Sequence, residues 1–479
     1  MQTTLPPLGT QLITYPDSLG GDLAALDRLL STELRGLFPG GVHVLPPFPS
    51  SGDRGFAPIT YREIEPAFGT WSDLERVGSH GGLLLDIMVN HISRQSGIFV
   101  DFEARGRDSP WADVMLTLDK IWPGGTPDPD DVAKVFLRKP EHPSSDVHIA
   151  ATGQTERIWT SFGPRADWSE QIDLDIHSPL TWELYDEWFE LLATHGATMV
   201  RLDALGYVTK RAGTACFMVE PEIWAFLDRI TEVAAHHGLR VLPEVHDTRP
   251  TFDALTRRGH AAYNFSLPGL ILEALISGQS DALDVELRNA PEQQVTLLDC
   301  HDGIPIQPDL TGLLPQSRLQ GLVDACLERG ANLNRILGAP AGSFDAHQIN
   351  ITYADACGSD DGYVLARAIQ LFAPGTPQIY YVGLLAGSGD LAAVAESGEG
   401  RAVNRRNYSE DEVRSALQRP VVSRLIELIE LRNSHPAFSG ECRVHPAGES
   451  RVAIEWVADT SFCRLDADLV AHDLSVTAS

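Results

Sequence analysis

The chain has 479 residues and a formal charge of −29, with 37 Lys and Arg against 66 Asp and Glu. This excess repels polyanions at long range, so nucleic acid and anionic membrane are not expected as partners, and an anionic ligand would need a local basic pocket. The composition, 43% hydrophobic and 22% charged, is that of a globular protein rather than a disordered one. No stretch reaches the roughly 18 uninterrupted apolar residues of a membrane span. The start, MQTTLPPLGT, lacks the basic and apolar regions of a leader. Cys216, Cys300, Cys326, Cys357, Cys442 and Cys463 lie far apart with no C-x-x-C pair, against a zinc site or a disulfide framework. A cytoplasmic protein with reduced, mostly buried thiols is expected, as a monomer or homodimer.

Short apolar runs alternate with helical patterns, which predicts repeated βα units. In chain order the strands are 11–15, 42–45, 83–87, 199–202, 241–244, 262–265, 295–298 and 378–381. Between them, Leu184, Trp188, Leu191 and Leu192 ahead of Gly196 have helical spacing. Ile223, Phe226, Leu227 and Ile230 repeat the pattern, with Pro221 as the first helical residue and Gly238 closing the element. Eight such strands predict an α/β fold, a (β/α)8 TIM barrel with its active site at the C-terminal strand ends. The barrel is assigned to 1–91, 178–304 and 358–437. Residues 92–177 and 305–357 are too long for simple loops and are expected to be inserted subdomains over the active-site face. The tail, 438–479, alternates around Arg451 to Val457 and predicts a small C-terminal antiparallel β domain.

Asp203 ends the fourth strand, Glu244 ends the fifth and Asp302 follows the seventh, spacings of about one and two βα units. Carboxylates gathered on one barrel face raise one another's pKa, an arrangement that serves retaining glycosyl transfer. That chemistry needs an ionised nucleophile and a protonated acid about 5–5.5 Å apart. An acidic run at 126–131 lacks the spacing of a calcium loop and reads as a solvated turn.

The stretches Asp86 to His91, Arg201-Leu202-Asp203, Pro243 to His246 and His301-Asp302 resemble the four sequence regions of glycoside hydrolase family 13. The resemblance implies Asp203 as nucleophile, Glu244 as general acid/base and Asp302 as transition-state stabiliser. It also implies Arg201 as the cation that keeps the nucleophile ionised, with His91 and His301 on sugar hydroxyls. Within that family the chain is most similar to the sucrose phosphorylase group, on Gln11 to Tyr15, Gly41 to Pro46, the Gly52-Asp53-Arg54-Gly55-Phe56 loop, Tyr380 to Gly383 and Gly400 to Arg405. By that similarity Asp53 and Arg401 pair to close the glucose pocket, and Phe162 and Gln171 line it.

The acceptor side departs from the sucrose enzymes. Arg138-Lys139 stands where they have Pro-Arg, and Phe344-Asp345-Ala346-His347-Gln348 where they have L-D-x-Y-Q. Added basic groups suit an acceptor bearing an oxyanion, a pattern similar to the sucrose 6-phosphate phosphorylases. Arg138, Lys139, Tyr207, His246, Asp345, His347 and Gln348 are therefore assigned to acceptor and phosphate. The resemblance implies a retaining phosphorylase that forms glucose 1-phosphate from a sugar phosphate and inorganic phosphate, with no metal or organic cofactor. The rival activities are sucrose phosphorylase, glucosylglycerate phosphorylase and a plain glucosidase. A noncatalytic barrel acting as a binding subunit is the non-enzyme rival, and the presence of all three acids speaks against it.

Overall fold

The computed structural model describes residues 9–479 except 141, 164–166, 168, 338, 340 and 341. Residues 1–8, most of the stretch read for a leader, lie outside the described part. Each predicted barrel strand is present: β1 (Gln11–Thr14), β2 (Gly41–Val44), β3 (Leu83–Met88), β4 (Ala197–Asp203), β5 (Arg240–Pro243), β6 (Ala262–Asn264), β7 (Gln294–Thr296) and β8 (Thr376–Tyr380). They form one parallel sheet in the order β6-β7-β8-β1-β2-β3-β4-β5, the cyclic order of a (β/α)8 barrel. After them come β9 (Glu441–His445), β10 (Arg451–Ala458), β11 (Ser461–Asp468) and β12 (Asp473–Ala478), an antiparallel four-stranded sheet.

The chain makes two compact units, one of Val44–Glu75 and Leu83–Val245, the other of Met1–His43, Arg76–Gly82 and His246–Ser479. In the first, every residue of β3 is buried, as in a parallel strand covered on both faces. Asp86 within this run is wholly buried and lies opposite Arg201 in the β3–β4 register. The helix Pro179–Thr194 starts with proline at its first turn and buries Leu184, Trp188 and Leu192. The helix Glu222–His236 buries Ile223, Phe226, Leu227 and Ile230. Pro221 stands one position before the expected place, as the residue capping that helix.

Between β3 and β4, His91–Ser93 pairs antiparallel with Gln171–Asp173, and Ser144–His148 with Thr155–Trp159. The acidic run is a short helix, Pro129–Val132, rather than a bare turn. Asp128 caps it by accepting from Asp130 N, and Asp131 accepts from the Trp122 indole at 3.0 Å.

In the second unit, Ile304–Pro305, Ala346–Asn350 and Asn332–Arg335 form a small antiparallel sheet accompanied by the helix Gln316–Glu328. β10 departs from the expected alternation, since Val452, Ala453 and Ile454 are all fully buried. It is an inner strand of its sheet and contacts both the helix Asp360–Phe372 and the turn Pro436–Ser439, which removes its solvent face. The Trp456 indole anchors it on the Phe372 carbonyl at 2.7 Å. Four cysteines are buried and two, Cys300 and Cys442, are half-buried, and all six are free thiols. No described helix is long and apolar enough to cross a membrane.

The Asp360–Phe372 helix also carries Arg367, fully buried, whose guanidinium donates to Asp299 at 2.6 Å, to Gln370 at 2.9 Å and to the Tyr363 hydroxyl at 2.9 Å. Removing one partner of such a pair leaves a charge stranded in the core. Asp299→Asn should lower unfolding free energy by about 3–5 kcal/mol, read from urea denaturation. A loss below about 1 kcal/mol would mean that the two neutral acceptors suffice.

Candidate active site

Adjacent strand ends bring together the first group of acids. The β4–β5 register sets Leu202 opposite Pro243, so Asp203 and Glu244 stand at neighbouring C-terminal ends. Arg201 joins them: Nη1 donates to Asp86 at 2.5 Å and to Asp203 at 2.9 Å, while Nη2 lies 3.2 Å from Glu244. Its guanidinium also lies 5.6 Å from the centre of the Phe56 ring. The N–H of Ala204, a residue held at φ +55°, donates to the second oxygen of Glu244 at 2.9 Å. One cation thus faces three carboxylates. Burial pushes Asp203 well above the usual carboxylate range, Glu244 and Asp86 add to that, and Arg201 opposes it. The cluster therefore holds a proton where isolated carboxyls have lost it.

Two of the residues expected around glucose meet on the Phe56 carbonyl, which accepts from His91 Nε2 at 2.9 Å and Gln171 Nε2 at 2.8 Å. Asn90 contacts the other ring nitrogen of His91 at 3.4 Å. Burial holds the imidazole below its ordinary pKa, so it is neutral with its proton on Nε2. Phe162 is half-buried, with its ring centre 5.6 Å from His91 and 4.7 Å from Tyr207. Asp53 lies in a left-handed turn, and its charge is felt at His91.

Sequence patterns assigned no role to Lys210 or Asp173, which form a buried pair at 2.5 Å. Lys210 also donates to Asn90 at 2.6 Å and to the Tyr207 carbonyl, and so ties the ends of several segments. A lone lysine seven positions past Asp203 carries no sequence signal of this. Asp86 did carry one, as an acid inside an otherwise apolar strand.

Asp302 stands in the opposite electrostatic setting. Burial alone would raise its pKa, but His301, Arg401 and Arg405 together hold it well below the carboxylate range. Arg401 donates to it at 2.6 Å, Arg405 lies at 3.8 Å and His301 at 4.0 Å. Arg405, another residue that sequence patterns left without a role, also donates to the His301 carbonyl at 2.8 Å. Of the acceptor set, His246 stacks on Phe265 with ring centres 3.9 Å apart and contacts Asp309 at 3.3 Å. His347 is buried and donates through Nδ1 to the Gln307 carbonyl at 2.5 Å. Gln348 is buried beside it, and Asp345 pairs with Arg335.

Arg138 is half-buried, 6.0 Å from the Phe162 ring. Lys139 is not an exposed loop cation: it is 2% exposed, with Nζ against the Ser144 carbonyl at 3.3 Å, Ser145 Oγ at 3.2 Å and Thr160 Oγ1. Burial brings its pKa down to about 8.

No family model matches the chain. Among curated proteins it is 48% identical to a sucrose 6(F)-phosphate phosphorylase of Thermoanaerobacterium thermosaccharolyticum, over 97% of this chain and 96% of that one. It is 42% identical to a glucosylglycerol phosphorylase of Marinobacter adhaerens, over 98% and 96%. Among solved structures, the sucrose 6F-phosphate phosphorylase from Thermoanaerobacter thermosaccharolyticum superposes with a TM-score of 0.97 at 47% identity, over 100% of this chain and 97% of that one. A carboxylate pair bridged by one arginine at neighbouring strand ends, on a fold matched over nearly its whole length, establishes that this chain belongs to the sucrose phosphorylase group of glycoside hydrolase family 13, a hexosyltransferase group.

Proposed function

We propose that the enzyme converts sucrose 6-phosphate, phosphorylated on the fructose 6-hydroxyl, and inorganic phosphate into α-D-glucose 1-phosphate and D-fructose 6-phosphate. The observation that carries this is the near-full-length likeness to a phosphorylase of that name, in sequence and in structure alike. Asp203 attacks the anomeric carbon while Glu244 gives its proton to the departing fructosyl oxygen, leaving a β-glucosyl ester on Asp203. Phosphate then attacks that carbon, the ester breaks, and Glu244 recovers a proton from phosphate, so the second inversion restores the α configuration.

Arg201 makes its shorter contact with Asp203, which favours the ionised nucleophile. Asp302, held low by His301, Arg401 and Arg405, stays ionised and opposes the positive charge of the oxocarbenium-like transition state. Asp53, His91, Phe162, Gln171, Arg201, His301 and Arg401 are assigned to the glucose. Arg138, Lys139, Tyr207, His246, Asp345, His347 and Gln348 are assigned to the acceptor and the attacking phosphate. The chemistry needs no cofactor, and phosphorylated metabolites as substrates favour a cytoplasmic enzyme.

Purified enzyme given sucrose 6-phosphate should release glucose 1-phosphate only when phosphate is present. Release of free glucose at a comparable rate would overturn phosphorolysis. Equal kcat/KM on sucrose, or a preference for glucosylglycerate, would reassign the acceptor. Glu244→Gln should lower kcat by about 10²–10⁴-fold, and Asp203→Ala should abolish the covalent ester detected by mass spectrometry after denaturing quench.

The acceptor assignment of Lys139 carries a pH signature. Its ammonium is charged below about pH 8 and neutral above it. If it binds phosphate, KM for phosphate should rise above pH 8 in the wild type, and Lys139→Met should show that higher KM at every pH. A Lys139→Met enzyme with an unchanged phosphate KM would return Lys139 to a purely structural place.

A further inference from the structure

The loop Ser50 to Ala57 is strained. Asp53 and Arg54 stand at φ +47° and +50°, and Gly55 at +109°. Left-handed backbone at two successive non-glycine residues is unfavourable and persists only where the surroundings over-determine it. Gly55 itself cannot be replaced, because a Cβ there would lie 2.6 Å from the Pro46 carbonyl oxygen.

The surroundings supply three sets of restraints. Ser50 Oγ contacts the carbonyls of Gly52 and Ala57, each at 2.9 Å, and ties the loop's two ends. The Phe56 carbonyl accepts from His91 and Gln171. The third restraint is Glu170, which the sequence did not single out. It is 7% exposed, and among the described residues no cation lies within 4.0 Å of its carboxylate. Its Oε1 instead accepts from Ser51 Oγ and, at 2.9 Å, from Ser93 Oγ, and the two hydroxyls lie 2.6 Å apart. Ser93 Oγ is fixed in turn by the N–H of Gln95 at 2.8 Å, and the Glu170 carbonyl by the N–H of Arg94 at 2.8 Å. A buried carboxylate whose partners among the described residues are hydroxyls is an expensive way to hold a loop, since a neutral side chain would avoid the desolvation cost. Charge-assisted hydrogen bonds are also shorter and stiffer than neutral ones.

We propose that Glu170 is a positioning residue: through Ser51 it fixes the strained turn that presents Asp53 to the glucose of the donor. Its partner strand end helps at the other side of the same loop, because the next residue, Gln171, grips Phe56. The proposal rests on the contact of Asp53 with the glucose under the proposed function.

The test is a double-mutant cycle of Glu170→Gln with Asp53→Ala. It is read by calorimetric binding of α-glucose 1-phosphate and by donor KM and kcat, with thermal midpoints alongside. Glu170→Gln alone should weaken glucose 1-phosphate binding and raise donor KM about tenfold, with a smaller change in kcat. In the Asp53→Ala background the same change should add less than about twofold, since its route to the sugar is gone. Multiplying effects, or unaltered binding in Glu170→Gln, would overturn the proposal. If Glu170→Gln fails to fold, Ser51→Ala in the same cycle reads the same clamp from its other end. Wild-type enzyme that does not bind glucose 1-phosphate would instead refute the phosphorylase assignment, an outcome separate from additivity in the cycle.

Discussion

The guanidinium of Arg201 is the contact on which the acid pair depends. It is 5% exposed at the side chain and reaches Asp86, Asp203 and Glu244 at 2.5, 2.9 and 3.2 Å. Burying three carboxylates against a single cation is stable only if hydrogen bonds absorb the excess and a proton stays in the cluster. The strand register makes this possible. Asp86 lies directly opposite Arg201 across the β3–β4 pair, and Asp203 follows two residues later on the same face of its strand. Asp86 orients the arginine, the arginine orients the acids, and the Ala204 N–H fixes the remaining oxygen of Glu244.

Asp302 has the reverse ratio of charges, one carboxylate with Arg401, Arg405 and His301 about it. Environments that push acid groups in opposite directions let identical chemical groups take different parts in one reaction. Burial and its acidic neighbours push Asp203 up, whereas the groups about Asp302 push it down. The difference comes from the local count of cations rather than from burial, since the side chains of Asp203 and Asp302 are similarly exposed, at 12% and 14%.

Polar groups at the positions proposed for the acceptor are largely engaged with the protein itself. Lys139 turns into the hairpin of Ser144–His148 and Thr155–Trp159, Asp345 takes Arg335, and His347 takes the Gln307 carbonyl. Such contacts set side-chain orientation, and for His347 the tautomer, ahead of any ligand. Phosphorylases with different names are matched over almost the same length of this chain, which fits a common scaffold.

The barrel was legible in the sequence because each strand is a short apolar run, and a parallel strand buried on both faces announces itself by composition alone. The acids were legible as a set, from spacings of about one and two βα units and from the motifs around them, since one acid at a strand end is by itself more often a cap or surface group. The alternation expected of β10 failed because two elements cover it, and neither is adjacent to it in the chain. Lys210, Asp173, Arg405 and Glu170 were silent for the same cause. Each acquires its meaning from a partner tens to hundreds of residues away, and nothing in a local pattern encodes that distance. Sequence by itself thus determined the fold class, the presence of the eight strands and the kind of chemistry. Tertiary structure alone decided which cation serves which carboxylate, because that depends on strand register and loop closure, through which distant residues come within hydrogen-bonding reach.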